Sequence, residues 1–210
     1  MNPALRKLMR KAKPSATDID AFIKENEFPL VDRTDITFVY RGKVDAVRLR
    51  CWISGLDTAQ GFQQLPNTDL WATTIELPKG SRIEYKLEIE RNGHKELVLD
   101  PLNKVRAHDP FGANSVCQAF GYERPEWAKH DPLSRSGSVE HREFDSKAFG
   151  GRRNVQVYLP GTFRRNRRYP LLIVHDGEDY MRYADLKLVL DNLIHRLEIP
   201  PLIVAMIQSP

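Results

Sequence analysis

Apolar and polar residues alternate one by one through much of the first 120 residues of this chain. The clearest case runs from Ile83 to Ile89, where every second residue is apolar and the residues between them are charged. Turn sequences separate such segments, and Asn92-Gly93 is a strong signal for a hairpin. Short alternating strands with turns between them are typical of an antiparallel β-sandwich. The pattern therefore predicts a mostly β sandwich over residues 30–121.

The residues before this region, 1–29, are predicted to form a basic tail and one helix. Residues 1–13 contain five lysines and arginines and no acidic residue. Thr17 and Asp20 resemble a capping box, and an apolar stripe of helical spacing follows them. Pro29 ends this helix, and the tail before it is expected to be a solvated, half-ordered terminus.

The chain changes character after residue 121. Residues 122–138 contain several prolines and serines and show no periodicity, which is typical of a linker. Residues 139–144 and 154–159 then alternate again on either side of the glycine pair at 150–151. This pattern predicts two strands joined by a glycine turn.

Two continuous apolar runs follow, at 171–174 and 202–207, with a helix predicted between them at about 184–197. Such runs are typical of strands buried on both faces of a parallel sheet. Strand, helix and strand in this order predict a βαβ unit in which the two runs pair in parallel. The run 202–207 is then expected to form an exposed apolar edge of the sheet, which natural domains avoid. We therefore expect residues 139–210 to be the start of a larger domain that is truncated here.

Composition and charge exclude several classes of protein. The hydrophobic content of 41% excludes a disordered chain, and no apolar run approaches the roughly 18 residues that a membrane span needs. The net charge of +4 comes from the N-terminal tail, because without its five basic residues 27 basic residues face 28 acidic ones. No aromatic residues are interleaved with these charges, so no nucleic acid is expected as a partner. Cys51 and Cys117 are too few for a disulfide framework, which indicates free thiols in a cytoplasmic protein.

The apolar run at 171–174 ends abruptly at His175-Asp176-Gly177. A buried strand that ends in a glycine loop and leads into a helix is where open α/β sheets place ligands. We interpret His175 and Asp176 as residues that orient this loop rather than as a catalytic base. The local residues alone also fit a plain strand-to-helix turn.

Residues 154–180 resemble the opening of the catalytic domain in enterochelin-esterase-like hydrolases, which form part of the esterase D branch of the α/β-hydrolases. The resemblance rests on a strand ending in YLP, a basic turn, YP, an apolar run and HDG. Upstream, the segments DLWATTIELPKGSRIEYKLEI and DPLNKVRAHDPFGANSV resemble the early-set immunoglobulin-like domain that precedes the catalytic domain in that family. The resemblance implies an early-set sandwich followed by an incomplete α/β-hydrolase domain. It also implies that Gly177, and with it Glu178, supplies a backbone N–H to an oxyanion hole.

Ester hydrolysis on this fold requires a serine at a G-x-S-x-G elbow, followed in the chain by an acid and a histidine. None of the nine serines in this chain has a glycine two positions before it. In the family the elbow comes after the strand that matches 202–207, so the resemblance implies that all three catalytic residues lie beyond Pro210. We therefore expect no catalytic residue in this chain and no serine-esterase activity from it alone. The substrate of the complete protein is expected to be a small-molecule ester, such as a siderophore ester.

Trp52, Arg48 and Arg50 alternate with the apolar face of their predicted strand and could contact a substrate or a glycan. The face that carries them could equally be covered by another domain. A second hypothesis is therefore a glycan-binding or interaction module of the early-set type without hydrolase activity, and a third is a non-enzymatic truncated relative. The acidic residues beside Gly177 are expected to be solvated, so neither a metal nor another cofactor is expected. The oligomeric state is left open.

Overall fold

A computed structural model of the protein describes residues 2–11, 13–51, 59–148 and 150–208. Within these ranges the chain is mostly β-sheet with a few short helices. It divides into two compact units, Met1–Glu123 and Arg124–Pro210. No helix in the described ranges is long and apolar enough to cross a membrane.

The first unit contains two antiparallel sheets. Its strands are β1 (Leu30–Asp32), β2 (Asp35–Arg41), β3 (Ala46–Cys51), β4 (Ala59–Gly61), β5 (Gln63–Gln64), β6 (Leu70–Glu76), β7 (Arg82–Arg91), β8 (His94–Val98), β9 (Arg106–Asp109) and β10 (Gly112–Gln118). One sheet has the order β1-β2-β6-β5, and the other has the order β4-β3-β7-β10-β9 with β8 also paired to β7. The alternating pattern of the sequence thus corresponds to two sheets, each with an apolar face that packs against the other.

The apolar faces of the two sheets share one core. Phe38 of β2 meets Tyr85 of β7 edge to face, with ring centroids 4.8 Å apart. Leu49 and Leu87 in the second sheet are fully buried in the same cluster, and each such side chain stabilises the fold by about 1.5–3 kcal/mol. Trp71 also lies in this core, and its indole N–H donates to the carbonyl of Gly42 at 3.1 Å. The predicted face-to-face packing of two sheets is therefore present.

Two helices, α1 (Pro3–Leu8) and α2 (Ala16–Glu25), pack on the outer side of the first sheet. Leu5 is only 2% exposed and shares a second core with Phe22 of α2 and Val39 of β2. The expectation of a solvated tail is therefore wrong for α1, because Leu5 and Leu8 are buried in this second core. The capping box of α2 is also not the predicted pair: Ser15 and Asp18 form it.

The second unit contains a mixed sheet covered by two helices. After a 3-10 helix at Glu126–Ala128, its elements are β11 (Ser138–Ser146), β12 (Gly151–Leu159), β13 (Leu171–His175), α3 (Gly177–Tyr183), α4 (Leu186–His195) and β14 (Ile203–Ile207). The strand order is β11-β12-β14-β13. β13 and β14 run parallel, which confirms the predicted pairing of the two apolar runs. Tyr158, Val204 and Met206 on one face of the sheet pack against Leu190 and Ile194 of α4.

The position of the edge strand differs from the prediction. β14 lies between β12 and β13, so Val204 is fully buried, whereas β13 forms the edge. Leu171 and Ile173 on β13 are 63% and 58% exposed, so the expectation of a strand buried on both faces is wrong for this run. The physical reason is that Leu171 and Ile173 lie on the face of the sheet opposite the one that packs on α4, and no described element covers them there. A continuous apolar run cannot by itself distinguish an edge strand from a central one.

The ends of α4 and the segment before β11 also differ from the sequence interpretation. Leu197, predicted to close the helix, lies beyond it with a φ of +59° and is 86% exposed. The stretch predicted as a linker is bound to α4: the side-chain amide of Asn192 donates to the carbonyls of Trp127 at 3.0 Å and Lys129 at 2.7 Å. These contacts place residues 124–137 in the second unit.

Candidate functional site

The candidate site lies at the carboxyl ends of the parallel strands β13 and β14. β13 ends at His175, and α3 begins at Gly177. Asp176 between them has left-handed backbone angles, with φ +54° and ψ +40°, which lets the chain turn sharply from strand into helix. The next strand in the sheet, β14, ends beside this turn at Ile207 and is followed by Gln208. The loop is thus in the position where parallel sheets place ligands.

Gly177 is needed for the close approach of α3 to β14. A Cβ at this position would lie 2.3 Å from Cβ of Met206 and 2.9 Å from its Cα. Real side chains do not approach so closely, so any other residue would push the helix away from the strand. The glycine of the HDG sequence therefore has a packing role, in addition to the backbone N–H that the resemblance implies.

The N–H of Glu178, the second predicted oxyanion donor, has a partner within the chain. It donates to the side-chain carbonyl Oε1 of Gln208 at 3.1 Å. The Nε2 group of the same glutamine donates to Oδ2 of Asp179 at 3.3 Å. Sequence reasoning missed Gln208, although a polar residue directly after a buried strand at the carboxyl edge of the sheet is the signal that could have indicated it.

A cavity of about 380 Å³ lies next to this loop. Its lining residues include His141 of β11, Asn154 and Gln156 of β12, Met206 of β14, and Glu178 and Gln208. The sheet register brings them together, because His141 is opposite Gln156 and Gln156 is opposite Met206. His141 lies in β11, within the strand predicted at 139–144.

This cavity has the size of a small-ligand site, and its described lining is polar. Its volume is at the lower end of the range of about 300–1,000 Å³ that is usual for ligand pockets. Imidazole and amide groups on its wall can both donate and accept hydrogen bonds. No serine or cysteine is among the described residues that line it. The described part of the site can therefore bind and orient a polar molecule, whereas a covalent step needs a group from elsewhere.

Ser136 lies beside the ammonium group of Lys187, but the two do not form a catalytic pair. Nζ of Lys187 lies 2.5 Å from Oγ of Ser136, but it also lies 2.7 Å from Oδ2 of the buried Asp191. An ammonium group held by a carboxylate has no lone pair with which to accept the serine proton. Asp191 also accepts hydrogen bonds from the Tyr158 hydroxyl and the Gly137 N–H, both at 2.8 Å. The hydrogen bonds of Asp191 thus connect α4 to the residues at the start of β11.

The two cysteines are free and buried. Burial raises the pKa of the Cys117 thiol to about 12 and also raises the pKa of Cys51. Neither thiol is therefore a nucleophile at neutral pH. Among the described residues, no three or more histidine, cysteine, aspartate or glutamate side chains are arranged to hold a metal ion.

The other predicted contact residues lie in the first unit. Arg48 donates to Oε1 of Glu88 at 3.0 Å and to Oε2 of Glu90 at 2.8 Å. Nη1 of Arg50 lies 3.7 Å from Oε2 of Glu88. The hydrogen bond from Arg48 lowers the pKa of Glu90, so the charges on this face are paired across β3 and β7. Trp52 lies outside the described residues, and a contact of these three residues with a substrate or glycan stays a prediction.

Comparison with known proteins gives a family match in the second unit. Residues 146–209 match the family model "Putative esterase". This span includes the loop after β13 and most of the residues that line the cavity. The uncharacterized protein YjcH of Bacillus subtilis (strain 168) is 29% identical over 65 residues, which cover 31% of this chain and 27% of that protein.

Solved structures match over more of the chain. The ferric enterobactin esterase of Salmonella typhimurium has a TM-score of 0.61 at 18% identity, covering 83% of this chain and 53% of that one. The enterobactin esterase of Shigella flexneri, solved in the presence of enterobactin, has a TM-score of 0.64 at 19% identity, covering 90% of this chain and 57% of that one. The chain therefore shares its fold with these esterases and spans a little more than half of their length. The predicted resemblance to enterochelin esterases is confirmed.

Proposed function

We propose that this enterochelin-esterase-like chain is the N-terminal portion of a serine carboxylic-ester hydrolase whose catalytic triad lies outside these 210 residues. The observation that carries the proposal is the esterase match over residues 146–209, which coincides with the loop and cavity at the ends of β13 and β14. The shared fold and the coverage of only 53–57% of the solved esterases support it as well.

The proposed layout follows the same resemblance. Residues 30–121 form an early-set immunoglobulin-like sandwich, 122–138 connect it to the next domain, and 139–210 form the first strands and helices of an α/β-hydrolase domain. The two-sheet packing of the first unit and the parallel pair of the second support this assignment. The free cysteines support a cytoplasmic setting.

The proposed mechanism assigns this chain a supporting part in acyl transfer. A serine from the remainder of the protein attacks the carbonyl carbon of the ester, with a histidine and an acid as its base and orienting group. Charge then develops on the former carbonyl oxygen. The backbone N–H of Gly177 is the proposed donor to that oxygen, and one such donor typically contributes about 10²–10³-fold in rate. The N–H of Glu178, the other candidate, donates to Oε1 of Gln208 in this structure. His175 and Asp176 orient the loop that carries the Gly177 N–H group.

The proposed substrate is a small carboxylic ester. The Shigella flexneri esterase was solved in the presence of enterobactin, so a siderophore ester is one candidate. The polar wall formed by His141, Asn154 and Gln156 supports a substrate with hydrogen-bonding groups near its ester. No observation in the described residues favours a glycan-binding module.

The gene downstream of codon 210 provides the first test. We expect an in-frame G-x-S-x-G sequence, followed by an acid and a histidine. The protein that includes them should hydrolyse a short p-nitrophenyl ester, and replacing its elbow serine with alanine should abolish the reaction. An open reading frame without such a serine, or turnover unaffected by its replacement, would contradict the proposal.

A further inference from the structure

Helix α3 begins without a cap of its own. The first N–H groups of a helix have no partner within the helix, and a side chain at the N-cap position usually accepts from the second or third of them. Asp176 occupies the N-cap position of α3, but its side chain makes no capping hydrogen bond. The left-handed backbone of Asp176 differs from the extended backbone that an N-cap residue normally has.

Gln208, which directly follows β14, supplies the missing acceptor. Its Oε1 accepts the N–H of Glu178, the second residue of α3, at 3.1 Å. Its Nε2 donates to Oδ2 of Asp179, the third residue, at 3.3 Å. One glutamine side chain thus satisfies a helix N–H and a neighbouring carboxylate, although it lies about thirty residues later in the chain.

The end of β14 holds three consecutive residues of α3 in place. The contacts come from Met206 in the strand and from Gln208, the first residue after it. Met206 packs directly on Gly177, which has no side chain, and Gln208 binds Glu178 and Asp179. The position and rotation of the first turn of α3 therefore depend on this strand end more than on its own N-cap.

We propose that Gln208 is a positioning residue for the oxyanion loop, and this inference rests on the function proposed above. While Gln208 accepts the Glu178 N–H, that group cannot also donate to a substrate oxygen. Of the two candidate donors, Gln208 therefore leaves Gly177, and it sets the orientation of the first turn of α3 through its hydrogen bonds to Glu178 and Asp179. Gln208 does not contact the reacting atoms and acts through Glu178 and Asp179.

The test is amide hydrogen exchange of the ¹⁵N-labelled 210-residue chain, measured by NMR without any ester present. Gln208 is exposed, so replacing it leaves the core intact. In Gln208→Leu we expect the Glu178 amide to exchange about 2- to 10-fold faster, which corresponds to the loss of one ordinary hydrogen bond. The Glu178 amide resonance should shift as well.

Gln208→Glu combined with Asp179→Asn is the conservative variant, because the carboxylate keeps the acceptor for the Glu178 N–H and the asparagine removes the charge that would repel it. We expect this double variant to retain slow exchange at Glu178. Gln156→Leu is the matched control, since Gln156 lines the same cavity from β12. It should leave the exchange of Glu178 unchanged.

Unchanged exchange at Glu178 in Gln208→Leu would overturn the inference, and so would an equal change in Gln156→Leu. Fast exchange at Glu178 in the double variant Gln208→Glu/Asp179→Asn would overturn it too, because the acceptor would then not be the cause. The proposed ester hydrolysis stands or falls separately, because no step of this experiment requires turnover.

Discussion

At the scale of single residues, the contact between Gly177 and Met206 decides how closely α3 approaches β14. A methyl group at position 177 would lie 2.3 Å from Cβ of Met206. We expect Gly177→Ala to lower the free energy of unfolding of the second unit by about 1–3 kcal/mol, the usual cost of overpacking. This loss outweighs the preference of helices for alanine, which amounts to about 1 kcal/mol. Urea denaturation followed by circular dichroism measures the change.

Gly151 provides the matched control for this prediction. It lies in the same unit, at the start of β12, and no atom lies within 4 Å of the place where its Cβ would be. Gly151→Ala should leave the stability within about 0.5 kcal/mol of the wild type. Equal stabilities for the two variants would show that the close approach at Gly177 does not matter.

A second residue-scale prediction concerns the pH dependence of stability at Asp18. Hydrogen bonds from the Lys11 ammonium, at 2.5 Å, and from the Ser15 N–H, at 2.9 Å, lower the pKa of this carboxyl from 3.8 to about 2. Because the pKa in the folded state is lowered, the stabilisation is present above 3.8 and is lost as the pH falls towards about 2. The difference in unfolding free energy between wild type and Asp18→Asn should therefore shrink over this interval.

Thermal unfolding at a series of pH values tests this expectation, with Asp32→Asn as the control. Asp32 is an exposed acid on β1 of the same unit. A wild-type advantage over Asp18→Asn that stays constant from pH 5 to pH 2 would be evidence against the role of the capping box.

Residue-scale features divide into those that a local pattern contains and those that need the fold. The loop at His175-Asp176-Gly177 could be predicted, because an apolar run stops there and a glycine follows. The predicted capping box was two residues too far along the chain, because Thr17 and Ser15 are both residue types that commonly cap helices. Gln208 could not be assigned a partner, because its contact with Glu178 joins residues that only the parallel pairing brings together.

At the scale of elements, the burial of β14 and the exposure of β13 have opposite consequences for mutation. Val204 is fully buried in the centre of the sheet, and Leu171 on β13 is 63% exposed. A lone charge at a buried position costs about 3–5 kcal/mol, which is comparable to the total stability of many domains. We therefore expect Val204→Lys to unfold the second unit.

Leu171→Lys places the same side chain on the neighbouring strand and should change stability by no more than about 0.5 kcal/mol. Near-ultraviolet circular dichroism and a denaturant titration of both variants distinguish the two cases. A folded, cooperative Val204→Lys protein would refute the burial of β14. An unfolded Leu171→Lys protein would refute the exposure of β13.

The positions of the elements along the chain were easier to predict than the order of the strands in the sheet. The Asn92-Gly93 hairpin joins β7 to β8 with positive φ at both residues, as its sequence indicates. The parallel pairing of the apolar runs was also predicted correctly. The place of β14 between β12 and β13 was not, because strand order depends on which surfaces the helices cover and periodicity carries no information about it.

At the scale of the whole molecule, the described residues that line the cavity include no serine or cysteine, which leads to a prediction about activity. We expect the purified 210-residue chain to show no turnover of p-nitrophenyl acetate that a covalent serine inhibitor abolishes. An oxyanion donor alone leaves the attack on the ester to water, and the residual rates of triad-deleted enzymes depend on an otherwise complete site.

Ser136→Ala is the informative control, because Ser136 is the serine that lies beside Lys187. Inhibitor-sensitive turnover that disappears in Ser136→Ala would show that the cluster around Asp191 is catalytic. The assignment of the site to the ends of β13 and β14 would then be wrong.

The strand order β11-β12-β14-β13 also determines when the second sheet can assemble during synthesis. β13 leaves the ribosome soon after β12, but its partner in the described sheet, β14, is made only after α3 and α4. Until then β12 and β13 both present unpaired edges, and direct pairing between them would close the place that β14 must enter. Parallel pairing between distant segments is slow because a long loop must close first. A nascent chain of this protein therefore passes through an interval in which its apolar strand at 171–175 is open to chaperones and to other chains.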